Sequence, residues 1–280
     1  MSELQLGALK GFTFVTPDIG ASCDAYAAYL DYRGPRPEPV GQARAGLWGA
    51  PAAAGALMTE LRPANGGERF LRLVEGDASD FVPFRSFGWA AAEIVVADLD
   101  ALAQRLDGGP FRTIGPPEVL DFEFTDQIRA MQVEGPGREV LYLTEIGAEI
   151  PGFDLPRATG PVGEPFIAVL GGASLAVLGE GYGALGRPAG PVIEARIGVL
   201  SNAYDLPEAT RHRLATIALP ERSLIEIDAF PEAAIPRPMS SIGLPAGIAM
   251  ASFAATVAGA PIAEPRLLRG AAGELIELLP

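Results

Sequence analysis

The chain has 280 residues, 49% of them hydrophobic and 8% aromatic, which fills a sizeable core as one large domain or two of ordinary size. Lys and Arg number 21 against 35 Asp and Glu, and the formal charge of −14 with no basic run excludes the footprint of a nucleic-acid binder. One cysteine, Cys23, excludes an internal disulfide framework, and one histidine, His212, excludes any site needing two histidines from one chain.

In chain order, MSELQLGALKGF carries no basic region ahead of an apolar core, and nowhere do about eighteen apolar residues run together. A cytoplasmic protein without membrane contact is expected. The 34 Gly and 26 Pro fall mostly between short apolar runs, a pattern of many short strands and few long helices. GFTFV reads as a strand, and IGASCDAYAAYLDYRG after it as a helix with Ser22 as cap, Tyr26, Tyr29 and Leu30 on one face, and Gly34 as stop. ARAGLWGA, GALMTEL and RFLRLVEG then read as three strands. AEIVVA opens the same sequence again: a helix capped by Asp98, with Leu99, Leu102, Ala103 and Leu106 at helical spacing and Gly108 as stop, then EVLDFEF, IRAMQVEG and EVLYLTEI. The unit is β-α-β-β-β, twice before residue 150.

The second half echoes the first. FTFVTPDIGAS at 12–22 aligns with EPFIAVLGGAS at 164–174, SFGWA at 86–90 with SIGLP at 241–245, and GREVLYL at 137–143 with GELIEL at the C-terminus. Four modules are expected, at 8–76, 86–148, 163–229 and 241–280. PGFDLPRATGP, 151–161, reads as a linker between two tandem domains, 1–150 and 162–280.

Strand-to-helix entries of the form VTPDI and VVADL, and strand exits of the form GELIEL after a glycine turn, resemble the vicinal oxygen chelate superfamily. This is the glyoxalase, bleomycin-resistance and extradiol-dioxygenase group. The resemblance implies an α+β fold in which paired modules form cupped, barrel-like sheets around a cavity. It also implies metal-ligand positions early in each first strand and in each last strand. Glu277 of GELIEL and Glu226 of SLIEI stand at last-strand positions; Leu73 and Tyr142 stand there in the other modules. The first-strand positions fall on Gly11, Ala91, Gly163 and Ala246, none of which can ligate through a side chain. The resemblance therefore implies a member working without a cofactor, with one divalent ion held by Glu226 and Glu277 as the alternative.

Glu93 shares a strand face with Ala91, so a hollow on that side makes it an acid in an apolar cup with a raised pKa, suited to acid/base work; the plain alternative is a rim residue paired with a cation. Tyr142 offers a hydroxyl to the same hollow, or packs. Arg129 either clamps an anionic group or faces solvent. His212 lies between two arginines that would depress its pKa, as a base or at an exposed strand end. Trp89 either lines the cavity mouth or anchors the core, and Phe122, Phe124 and Asp126 in DFEFTDQ either close the cavity or form a solvated loop.

Three functions remain open. One is a metal-independent lyase or isomerase moving a proton next to a carbonyl of a small hydrophobic or aromatic substrate. Another is a protein that sequesters such a molecule, and the third a metal enzyme using Glu226 and Glu277. The expected partner is a small hydrophobic or aromatic molecule, with no nucleic acid, no membrane, and a monomer or homodimer as assembly.

Overall fold

The structure, a computed structural model, describes residues 4–280. The first segment runs β1 (Leu4–Thr16), α1 (Ile19–Tyr29), the short β2 (Tyr32–Arg33) and β3 (Glu38–Pro39), α2 (Gln42–Leu47), a 3-10 turn, β4 (Leu57–Pro63) and β5 (Phe70–Glu75). The second runs β6 (Gly88–Val96), α3 (Leu99–Leu106), β7 (Arg112–Val119), β8 (Ile128–Glu134) and β9 (Val140–Ile146). The third runs β10 (Val162–Gly172), α4 (Leu175–Gly183), β11 (Ile193–Arg196), α5 (Gly198–Ala203), β12 (Arg211–Leu219) and β13 (Ser223–Ala229). The last runs β14 (Ile248–Val257), β15 (Ala260–Pro261), β16 (Arg266–Arg269) and β17 (Leu275–Leu279), with a tight hairpin where the other segments place a helix. Among the described residues no helix is long and apolar enough to cross a membrane.

Local chemistry explains most of these elements. The side chains of Asp18 and Asp98 each accept a hydrogen bond from the backbone N–H three residues on, at 2.8 and 2.9 Å, and so cap α1 and α3. Ser22, expected as the first cap, is instead buried inside α1, with its hydroxyl 2.6 Å from that of Thr16. The helix also ends at Tyr29, short of Gly34. ARAGLWGA, expected as a strand, forms α2: helical spacing puts Ala45 and Trp48 on one side, and both are buried. Of EVLDFEF only Glu118 and Val119 are in a strand; the rest is loop.

Two sheets result, and each draws strands from both sides of the 151–161 segment. One has the order β16-β17-β14-β1-β5-β4-β2, with β15 beside β14 and β3 beside β4; the other is β11-β12-β13-β10-β6-β9-β8-β7. The first segment therefore pairs with the fourth, through antiparallel β1 and β14, and the second with the third, through β6 and β10. This corrects the expected division into 1–150 and 162–280. The seams are formed by first strands, and a first strand can complete its ladder with any of its three counterparts, so adjacency in sequence does not choose the partner.

Strand alternation gives each sheet two apolar faces. Phe12, Phe14, Leu71, Leu73, Ile276 and Leu278 of one sheet join Ala92, Ile94, Leu141, Leu143, Ile225 and Ile227 of the other in a shared core that also takes up α1, α3 and α4. The opposite faces are hollow. The hollow of the first sheet is filled from within the chain by Val40, Ala45, Trp48, Ala50 and Ala53, packed on Val15, Val74, Met250 and Leu275.

Candidate functional site

The two hollows carry opposite chemistry at corresponding positions. In the first, register places Thr13 beside Arg72 and Ser252 beside Glu277. Arg72 Nη1 donates to Glu277 Oε2 at 2.8 Å and to Thr13 Oγ1 at 3.1 Å. Its Nε and Nη2 donate to Glu60 Oε1 at 3.1 and 3.0 Å. Glu277 also accepts from Ser252 Oγ at 2.6 Å and from Trp48 Nε1 at 3.0 Å. Burial works to raise the Glu277 carboxyl, but Arg72 and the two neutral donors outweigh it and hold the group below its ordinary value. The guanidinium thus occupies the place where the resemblance implies a cation. A divalent ion does not fit beside that fixed charge, and Leu73, taken as the matching position, faces the shared core instead.

The second hollow is open. It holds a cavity of about 310 Å³ whose polar wall includes Gln132, Tyr142, Ser201, Asn202 and Glu208. A smaller apolar lobe includes Phe122, Phe124, Phe153, Ile167 and Leu224, and both lobes touch Glu93 and Glu226. Register sets Glu93 directly beside Tyr142 on β9 and beside Ile167 on β10, while Glu226 lies beside Val169. Asp228 follows on the same face of β13 and is buried.

Glu93 is 5% exposed, and no cation among the described residues is bonded to it. Burial and then the charge of Glu226 push it up to about 8, against a smaller opposite pull from the Thr144 hydroxyl. Burial raises both Glu226 and Asp228, and Asp228 is raised further by the neighbouring charges of Glu226 and Glu93. Tyr142 is driven well above its usual value by burial and then by the three carboxyls, so it stays an O–H donor. Its buried hydroxyl has no partner among the described residues.

Of the other residues singled out in the sequence, Phe122 and Phe124 line the small lobe and stack at 5.2 Å, with Phe124 on Phe153 at 5.4 Å. His212 is buried behind the cavity wall, Nε2 at 2.8 Å from Ser201 Oγ. Burial lowers its pKa, not the flanking arginines, which point outward. Three residues lie elsewhere. Arg129 is on the opposite face, paired with Asp100 at 2.8 Å and Glu145 at 3.5 Å, because a half-exposed strand arginine finds the acids around α3. Trp89 sits in the shared core, donating to the Leu275 carbonyl at 2.7 Å, and Asp126 is exposed, accepting from Gln127. Glu226 and Glu277 stand in different sheets, so they are not a ligand pair. Among the described residues no three His, Cys, Asp or Glu side chains are placed to hold a metal ion.

Sequence reasoning missed Asp228, Thr144, Arg72 and Phe153. Asp228 and Thr144 were findable by alternation, two residues from Glu226 and Tyr142 on the same faces; Arg72 was hidden because the last-strand position was read as Leu73, one residue on and on the other face, and Phe153 carried no signal.

No family model matches the chain, and no curated protein matches it in sequence. Among solved structures, glyoxalase I from Zea mays superposes with a TM-score of 0.59 at 13% identity, covering 97% of this chain and 92% of that one. A Bacillus subtilis protein, provisionally described as a dioxygenase, gives 0.59 at 11% identity, covering 98% and 85%. The fold is α+β with two cupped sheets. It is the vicinal oxygen chelate fold of these glyoxalase-like and dioxygenase-like structures.

Proposed function

We propose that the second hollow is a proton-transfer site that works without a metal on a small hydrophobic or aromatic carbonyl compound, as a lyase or isomerase. The observation that carries this is Glu93, a buried carboxyl raised to about 8, beside a Tyr142 hydroxyl that has no partner. A carboxyl with a pKa near the working pH both takes and returns a proton. Glu93 in its carboxylate form removes the proton next to the substrate carbonyl, Tyr142 donates to the oxygen where enolate charge grows, and Glu93 returns the proton at a neighbouring atom. The Glu226–Asp228 pair keeps a second proton within reach. The phenyl lobe holds the hydrophobic end of the substrate.

The test is hydrogen exchange. Incubated in D₂O with phenylacetone, the wild-type protein should speed loss of the protons next to the carbonyl, read by proton NMR, and Glu93→Gln should lower that rate by roughly a hundredfold or more. Exchange no faster than buffer would overturn the reading. The stacked phenyl rings then favour a second one, in which the cavity sequesters its ligand unchanged and Glu93→Gln leaves binding intact.

A further inference from the structure

The sign of the charges around this cavity narrows what it can hold. Glu93 and Glu226 stand where the two lobes meet, Asp228 lies behind them, and Glu118, Asp121 and Glu208 line the larger lobe toward the surface. The lining contains no lysine, and its one arginine, Arg196, is turned to Asp121, its Nε donating at 3.1 Å. Arg211 donates to the same Asp121 oxygen at 2.9 Å, so that acid binds both neighbouring cations outside the centre. Arg129, the other cation expected here, is on the far face.

An anion entering would meet the buried Glu93 and the half-buried Glu226 and, among the described residues, no free positive donor. A neutral ligand leaves them as they are. A cation alone gives them a partner and makes their ionised forms favourable in a buried setting. Two further observations point the same way. The buried Tyr142 oxygen, in the lining of the larger lobe, lacks a partner among the described residues and can accept from an N–H donor. Phe122, Phe124 and Phe153 form a stacked aromatic wall beside the carboxyls, a surface that takes an apolar body and tolerates a nearby cation on its ring faces.

We propose that the ligand of the second hollow is an amphiphilic organic cation: a hydrophobic, preferably aromatic, amine in its ammonium form, with nitrogen between Glu93 and Glu226 and its apolar body against the phenyl lobe. This rests on the assignment of this hollow as the site and deepens it.

The test needs no turnover. Titration calorimetry of the full chain with 2-phenylethylammonium, 2-phenylethanol and phenylacetate compares one body with three charges. The expected order is ammonium first, by about tenfold or more over the alcohol, with the carboxylate weakest. Glu226→Gln should erase the ammonium preference, bringing the ammonium and the alcohol to similar affinities. Equal affinities, a preference for phenylacetate, or no binding by any of the three would overturn the inference. Phenylacetone exchange with a flat charge series would reject the ammonium ligand alone, whereas ammonium binding without exchange would reject only the proton-transfer reading.

Discussion

Arg72 and Glu93 mark the difference between the two hollows at the level of single residues. Arg72 and Glu277 have side chains 4% and 3% exposed, so removing one leaves the other charged and buried. Arg72→Met should cost about 3–5 kcal/mol in urea denaturation. The double variant Arg72→Met, Glu277→Met should cost clearly less than Arg72→Met alone, because the buried Glu277 charge is gone and Glu60, the other acid that loses Arg72, is partly exposed and keeps Arg62. A double variant as unstable as the single would mean that the pair contributes shape and not charge balance. Two carboxyls raised by burial, Glu93 in the other hollow and Glu139 against Tyr26 of α1, give a pH dependence of defined sign. Glu93 at about 8 and Glu139 at about 7 bind their protons more tightly folded than unfolded. Their contribution is complete below about 4.5 and is lost as pH rises through 7 to 8. Stability of the wild type should therefore fall from pH 5 to pH 8.5, and Glu93→Gln should flatten the slope. Glu277, held low, acts in the opposite sense and only in acid.

At the scale of elements, caps and cross-segment locks hold the helices. Tyr26 on α1 donates to Glu139 Oε1 at 2.6 Å, and Tyr182 on α4 donates to Glu274 Oε1 at 3.2 Å. Each lock ties the helix of one segment to the turn before the last strand of the next, in positions that correspond between GREVLYL and GELIEL. Asp18→Ala and Asp98→Ala should each cost about 0.5–2 kcal/mol by loss of a cap, whereas Ser22→Ala should act through its buried bond to Thr16. Thermal melts of the three variants, with the helical signal at 222 nm, separate these effects. Much of this level was legible in the sequence. Asp98 announced its helix because a capping acid directly preceded a spaced apolar run. α2 was not legible, since its six residues, QARAGL, are too few for helical and strand periodicity to differ. The last segment, expected as a fourth β-α-β-β-β unit, has the β14–β15 hairpin in place of a helix, a departure that no residue of 241–280 announced.

At the scale of the whole molecule, the first sheet is closed by its own chain and the second is left open. Trp48 and the alanines around it fill one hollow, while the corresponding part of the other is bounded by a loop, 120–127, that leaves a cavity. The fold class was legible from the module pattern; the pairing was not, because it depends on which first-strand edges meet in space. Glu226 and Glu277 look equivalent in sequence, yet one lies beside carboxyls and the other beside an arginine, a difference set by partners more than 200 residues away in the latter case. Fragment 1–150 expressed alone should leave β1 and β6 as open edges and fail to fold as a monomer, while co-expression with 151–280 should restore a soluble complex on size exclusion. A compact monomeric 1–150 would contradict the crossed pairing.

The central claim is that Glu93 is a desolvated acid poised near neutral pH, and the direct measurement is its titration by carbon-13 NMR, with Glu93→Gln to assign the signal. A midpoint near 8 is the result expected from its surroundings. A midpoint in the ordinary carboxylate range would mean that water or a cation already reaches the group, and the proton-transfer site would have to be abandoned.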